Sequence, residues 1–329
     1  MKRAGIGICL ALVIVATAHL VPGRAQGTGA VQQQPPTIAE PVNPLRVALL
    51  RWYRANTTTR FKVGSQPYGV AFDGTNIWTA NFGDGTVTKL RANDGEVLGT
   101  FKVGAAPYGV AFDGANIWVS NQGDGTVTKL RASDGKNLGT FQIGRATGWP
   151  AFDGSNIWVT SVPSTKGKLS KVRASDGQVL GTFTVGISPT AVAFDGANVW
   201  VTNNGEKTVN KLRASDGKVL GTFTVGSNPL GIAFDGTNMW VANQNDNTVS
   251  KLRASDGKTL GTFRATDLPY GVAFDGESIW VTGLPFVVKL RPSDGKLLFS
   301  ARDEGGAGLA FDGANVWVGE FNDNVVGKL

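Results

Sequence analysis

From residue 61 to residue 329 apolar side chains come in short runs, many alternating with polar ones, and each run is closed by Asp-Gly, Gly or Asn. Residues 107–135, PYGVAFDGANIWVSNQGDGTVTKLRASDG, show the unit. YGVAF, NIWVSN and TVTKLR, followed by NLGTFQIG, read as four short strands, A to D. Asp113-Gly114, Gly123-Asp124-Gly125 and Ser133-Asp134-Gly135 separate them. Such turns need positive φ, which Asp and Gly tolerate, and between β-branched and aromatic runs they mark hairpins. No apolar pattern of helical period is long enough to compete.

The unit recurs. The AFDG tetrad begins at residues 71, 111, 151, 193, 233, 273 and 310, so the spacings are 40, 40, 42, 40, 40 and 37. Each tetrad is followed by a tryptophan, at Trp78, Trp118, Trp158, Trp200, Trp240, Trp280 and Trp317. A four-stranded meander with a period near 40 residues is a propeller blade. The last copy reaches Leu329 at the end of strand C. RANTTTRFKVG, residues 54–64, matches strand D elsewhere (KVLGTFTVG, 218–226) but has no A, B or C before it. The expected fold is therefore all-β: a seven-bladed β-propeller of four-stranded blades over 55–329, closed by the N-terminal strand D joining the last blade. Closure hides the edges that would otherwise recruit foreign strands, and the ring is expected to be monomeric.

Upstream, Lys2 and Arg3 precede the apolar run IGICLALVIVATA and small residues up to GRAQ. This is the layout of a secretory signal peptide, too short in its apolar core to span a bilayer. Cleavage is expected after Ala25, with Ala18 as the alternative, so that 1–25 is removed and the protein is secreted or periplasmic with no transmembrane segment. Residues 26–44 are rich in Gln and Pro and read as a disordered leader. In LRVALLRWYR, 45–54, Leu45, Leu49, Trp52 and Tyr53 share one face of a short helix. That helix is expected to rest on the ring; with three arginines beside the aromatics, it could instead lie on a membrane surface.

Export changes the chemistry. Cys9 and His19 are the only cysteine and histidine. The mature chain then has no disulfide, thiolate nucleophile, imidazole base or soft metal ligand. Loss of Lys2, Arg3 and Arg24 also lowers the formal charge from +7 to +4. Within the repeats the Lys and Arg at recurring positions are matched by Asp, which is not the one-sided field that nucleic acid requires.

In a propeller the A–B and C–D turns share one face and the B–C and D–A loops the other. The first set is nearly constant here: FDGxN, and RASDG with only Asn93 and Pro292 departing from the latter. The second set varies, and blades three and six change loop length. Binding usually resides on such loops. Strand A starts at Tyr68, Tyr108, Gly148, Thr190, Leu230, Tyr270 and Ala307. With Trp149 and Arg145 beside the gap at Gly148, Tyr68, Tyr108 and Tyr270 form an expected aromatic rim for an unknown protein, glycan or small molecule. The alternative is that these rings simply plug the channel. Asn81, Asn121, Asn203 and Asn243 close strand B on the same face and complete the candidate set. Asp84, Asp124, Glu206, Asp246, Glu320 and Asp323 offer hard oxygens, but one or two per loop is ordinary turn chemistry. No metal site and no cofactor are expected.

The strings GVAFDG, IWVAN and NTVSKL over 61–329 resemble the YVTN-type secreted β-propeller repeats. The streptogramin (virginiamycin B) lyase family is similar, a seven-bladed propeller with a comparable tryptophan strand. That second resemblance implies a His general base, a Glu and Mg²⁺; residues 26–329 carry no His for the role. The expected function is non-catalytic binding on the variable face. The alternative is a lyase- or hydrolase-type enzyme using acids, Tyr or a hard metal on that face.

Overall fold

The computed structural model describes residues 59–145, 147–162, 166–302 and 306–329. The signal peptide, the leader and the segment 45–54 lie outside these residues. Seven four-stranded antiparallel sheets are present, with almost no helix. Blade two shows the unit in full: strand A is Pro107–Phe112, B is Asn116–Asn121, C is Thr126–Arg131 and D is Asn137–Gln142. Each Asp-Gly turn falls where the pattern puts it, and Gly114 and Gly135 have φ of 96° and 73°. Only glycine adopts such values without strain.

Blade seven consists of Gly306–Phe311, Val316–Glu320 and Val325–Lys328, with Thr59–Lys62 as its fourth strand. Thr59 pairs with Lys328 and Phe61 with Val326. The N-terminal strand therefore closes the ring. Arg60 adds an ion pair to the buried Glu320 at 2.9 Å.

The core lies between blades rather than within them. Trp78, Ala80 and Val87 of blade one meet Ile117, Val119 and Leu130 of blade two, and the other junctions repeat the arrangement. Six of the seven repeat tryptophans are fully buried. Each removes roughly 200 Å² from water, about 5 kcal/mol of transfer free energy as an upper bound.

The constant face links one blade to the next. Asp113 accepts the backbone N–H groups of Ala115 and Asn116 and, at 2.7 Å, the Trp118 indole N–H. Lys129 lies over the Trp118 ring, 5.3 Å from its centroid, and donates to the carbonyl oxygens of Ala174 and Ser175 in blade three. Phe101 of blade one sits where a Cβ on Gly135 of blade two would be, 2.1 Å away. That glycine is thus fixed by its φ and by its neighbour. For Asp153, Asp195, Asp235, Asp275 and Asp312 burial disfavours the charge, but the indole and backbone N–H donors outweigh it and hold the carboxyls below the usual range.

Two blades depart from the regular pattern. Strand A of blade three shrinks to Ala151–Phe152. Pro150 has no N–H to pair, and Trp149 turns its own N–H to the Thr190 carbonyl of blade four, 2.9 Å away. In blade six strands A and B shorten to Val272–Phe274 and Ile279–Val281.

Candidate functional site

Curvature brings together rings that the sequence holds far apart. The A strands line the channel, so the residues that start them converge at its mouth on the variable face. Tyr68 and Tyr108, from adjacent blades, have ring centroids 4.9 Å apart. Tyr108 stacks on Trp149 at 5.6 Å, and Trp149 meets Tyr270 edge-on at 5.3 Å. The Tyr108 and Tyr270 hydroxyls are hydrogen-bonded across 162 residues of chain. Four expected site residues thus form one hub.

The hub is both rim and plug. Tyr108 is buried, while Tyr68, Trp149 and Tyr270 keep part of their surface. Beneath it is a cavity of about 130 Å³, walled by the Gly and Val positions of the A strands and by Trp149. Trp149 turns its buried indole N–H to no acceptor among the described residues. Gly148 leaves no room for a rim side chain, because a Cβ there would lie 1.9 Å from the Thr190 carbonyl oxygen. Burial pushes the Tyr108 hydroxyl up to about 12 and raises Tyr68 and Tyr270 as well. All three phenols stay protonated near neutral pH, as donors and not as bases.

Arg145 is exposed on the D–A loop and outside the hub; its carbonyl accepts the Val162 N–H at 2.9 Å. The four asparagines lie beneath the surface, fully buried. The Asn121 amide donates to Thr126 and Thr128, and Asn81 does the same with Thr86 and Thr88. Asn203 and Asn243 also accept the N–H groups of Gly186 and Gly226 in the D–A loop that leads into their own blade. These side chains brace the loops and present nothing to a ligand. The loop acids have similar duties: Asp84, Asp124 and Asp246 accept the N–H groups of Ser65, Ala105 and Ser227. Among the described residues no three His, Cys, Asp or Glu converge as a metal site would need.

Other residues on this face were not singled out by the sequence. Phe321 packs edge-on to Tyr68 at 4.8 Å and Phe82 tilts against it at 5.3 Å. Both follow the residue that closes strand B. The signal was available: that position reads Phe82, Gln122, Val162, Asn204, Gln244, Leu284 and Phe321, as varied as the starts of strand A. Two pockets of about 240 Å³ each flank the hub. Tyr68, Tyr270, Phe321, Gln244 and Asn322 line one; Tyr108, Gln122, Asn204, Ser188 and Thr190 line the other.

No family model matches the chain, and no curated protein matches it. Solved structures do. One described as "Streptogramin B lyase structure" superposes with a TM-score of 0.71 at 17% identity, covering 83% of this chain and 96% of that one. Hydrazine synthase from Kuenenia stuttgartiensis gives 0.70 at 17% identity, covering 81% and 97%. A functionally unknown protein from Desulfotomaculum acetoxidans DSM 771 gives 0.63 at 14%, covering 77% and 95%. At such identities the likeness is one of fold, and a fold hosts many functions. The chain is a seven-bladed β-propeller built like streptogramin B lyase.

Proposed function

We propose that this protein is an exported binding module whose ligand docks on the variable face, over the hub of Tyr68, Tyr108, Trp149 and Tyr270. One observation carries the reading: four aromatic side chains from blades one, two, three and six meet at the channel mouth with two pockets beside them. Partly exposed Tyr and Trp supply apolar area with a polar tip, which suits anchoring. The phenols are held protonated, and residues 26–329 contain neither His nor Cys, so the face is rich in donors and poor in bases. Export rests on the basic and apolar N-terminal pattern.

The test is a ligand screen by calorimetry on the exported chain, against glycans, peptides and small organic molecules. A ligand of this face loses about 2 kcal/mol of affinity on Tyr68→Ala, as a true anchor does, and keeps its affinity on Asp134→Ala. Ligands lost only on constant-face variants would place the site on the other side of the ring. Turnover of any bound compound would favour the lyase- or hydrolase-type alternative.

A further inference from the structure

The two pockets beside the hub share a chemistry that two clefts of the constant face lack. No described residue lining either of them is charged. On the constant face, by contrast, Asp113, Lys129 and Arg173 line one cleft and Asp235 and Lys251 another. Each variable-face pocket has two carboxamides: Gln244 and Asn322 in one, Gln122 and Asn204 in the other. Each also borders the tyrosine pair, Tyr270 on one side and Tyr108 on the other, with their hydroxyls in contact.

We propose that the two pockets are paired subsites for one neutral oligosaccharide that crosses the tyrosine hub. The inference rests on the binding-face reading above and names the ligand class. Three features select it. An ionised ligand would lose its hydration with no counter-charge among the described residues that line either pocket, which is costly. A carboxamide donates and accepts at once, as a sugar hydroxyl does, and the faces of Tyr68 and Phe321 offer apolar surface for the C–H side of a pyranose ring. Size matters as well: each pocket of about 240 Å³ falls below the roughly 300 Å³ at which ligand sites begin, whereas the pair together exceeds it.

A peptide fits this face less well. Extended peptides bind by adding to a free strand edge, and here the loop N–H groups of Ser65, Ala105, Ser227 and Leu268 already donate to Asp84, Asp124, Asp246 and Asn247. The A strands are sheet edges, but those edges line the channel beneath the hub.

Calorimetry on the exported chain with neutral gluco-, manno- and N-acetylglucosamine oligomers of about two to six units tests the proposal, alongside glucosamine oligomers, galacturonate oligomers and uncharged peptides of equal length. One neutral series should bind, with affinity rising at least tenfold from the shortest oligomer to the one that reaches both pockets and then levelling. Phe321→Ala and Asn204→Ala, one variant per pocket, should each reduce the long oligomer to the affinity of the short one at unchanged melting temperature. Affinity independent of length, equal binding of a charged series, or no sugar binding at millimolar concentration overturns the proposal. Peptide binding that Phe321→Ala weakens would overturn the sugar and leave the face standing. Sugar binding indifferent to both variants but lost on Asp113→Ala at unchanged stability would overturn the face as well.

Discussion

The two faces of the ring are built from chain reversals of similar length, yet seven copies of one are nearly identical and seven copies of the other are not. On the constant face, side chains make the bonds. Asp113 alone takes donors from Ala115, Asn116 and Trp118, and Lys129 reaches across to the next blade. A change in Asp113 disturbs the turn of its own blade, and one in Lys129 disturbs two blades at once. On the variable face much of the joining is done by backbone, by residues underneath and by the recurring loop acids. The Phe82 N–H donates to the Gln66 carbonyl, Gln122 to Ala106, Asn204 to Ser188 and Gln244 to Asn228, whatever the donor's side chain. The asparagines brace the loops from below. The other surface side chains there are free to differ. Divergence among the copies follows the division between bonds made by side chains and bonds made by the main chain.

The largest effect that would break this contrast lies at ring closure, on which both faces depend. Removing residues 55–63 takes away Thr59–Lys62, leaves Val325–Lys328 as an unpaired edge and deletes the Arg60–Glu320 pair. Calorimetric scanning should show loss of the cooperative transition, with aggregation. A truncated chain that melts like the parent would remove the closing role of that strand.

Next comes a single constant-face residue. Asp113→Ala strands two backbone N–H groups, the Asn116 amide and the Trp118 indole, and should lower stability by about 3 kcal/mol with ligand affinity unchanged. Denaturant unfolding together with calorimetry reads both.

The faces should also fail at opposite ends of the pH scale. Five A–B turn aspartates with depressed pKa favour the folded state fully above their ordinary 3.8, and lose that contribution as pH falls through their folded values. The hub tyrosines, raised by burial, favour the folded state fully below their ordinary 10.0 and lose it as pH rises, with Tyr108 half-ionised at about 12. Three of the chain's four tyrosines are in the hub. Tyrosinate absorbance of the native protein should therefore lag well behind that of the denatured chain. Coincident titration curves would mean the hub is open to water.

Smaller effects sharpen the picture. Tyr270→Phe removes the hydroxyl contact with Tyr108 and should cost about 1 kcal/mol. Arg145→Ala, exposed and outside the hub, should shift stability by less than about 0.5 kcal/mol. It should also leave the binding of a neutral ligand unchanged.

Much of this was legible in residue order, because alternation and turn chemistry act locally. Strand positions in blade two, the seven-fold ring and the closing strand all follow from patterns a few residues long. The hub was legible in part. Tyr68, Tyr108 and Tyr270 could be placed at strand starts, but their contact depends on the curvature of the whole ring. Trp149 crosses toward blade four because Pro150 breaks strand A, which spacing alone does not reveal. The asparagines show the limit most clearly. Their recurrence on the variable face suggested binding, yet each also has hydroxyl-bearing residues at fixed distances, such as Thr126 and Thr128 after Asn121. That spacing marks an internal brace.

Six of the seven recurring strand C lysines donate to the next blade's turn: Lys89, Lys129, Lys171, Lys211, Lys251 and Lys328. Lys289 instead pairs with Asp275 of its own blade, 3.0 Å away. In the same blade Ala301 stands where the other strands D carry Phe101, Phe141, Phe183, Phe223 and Phe263, and Phe299, 39% exposed, lies two residues earlier, opposite Lys289. Among the described residues, blade six thus lacks the lysine link and the phenylalanine that the other blades have, and its strand D is expected to open first. A propeller with one weak joint can be pulled or heated open in a defined order. Hydrogen exchange in Leu297–Arg302 should run ahead of the equivalent strands, so that a nearly symmetric molecule unfolds directionally.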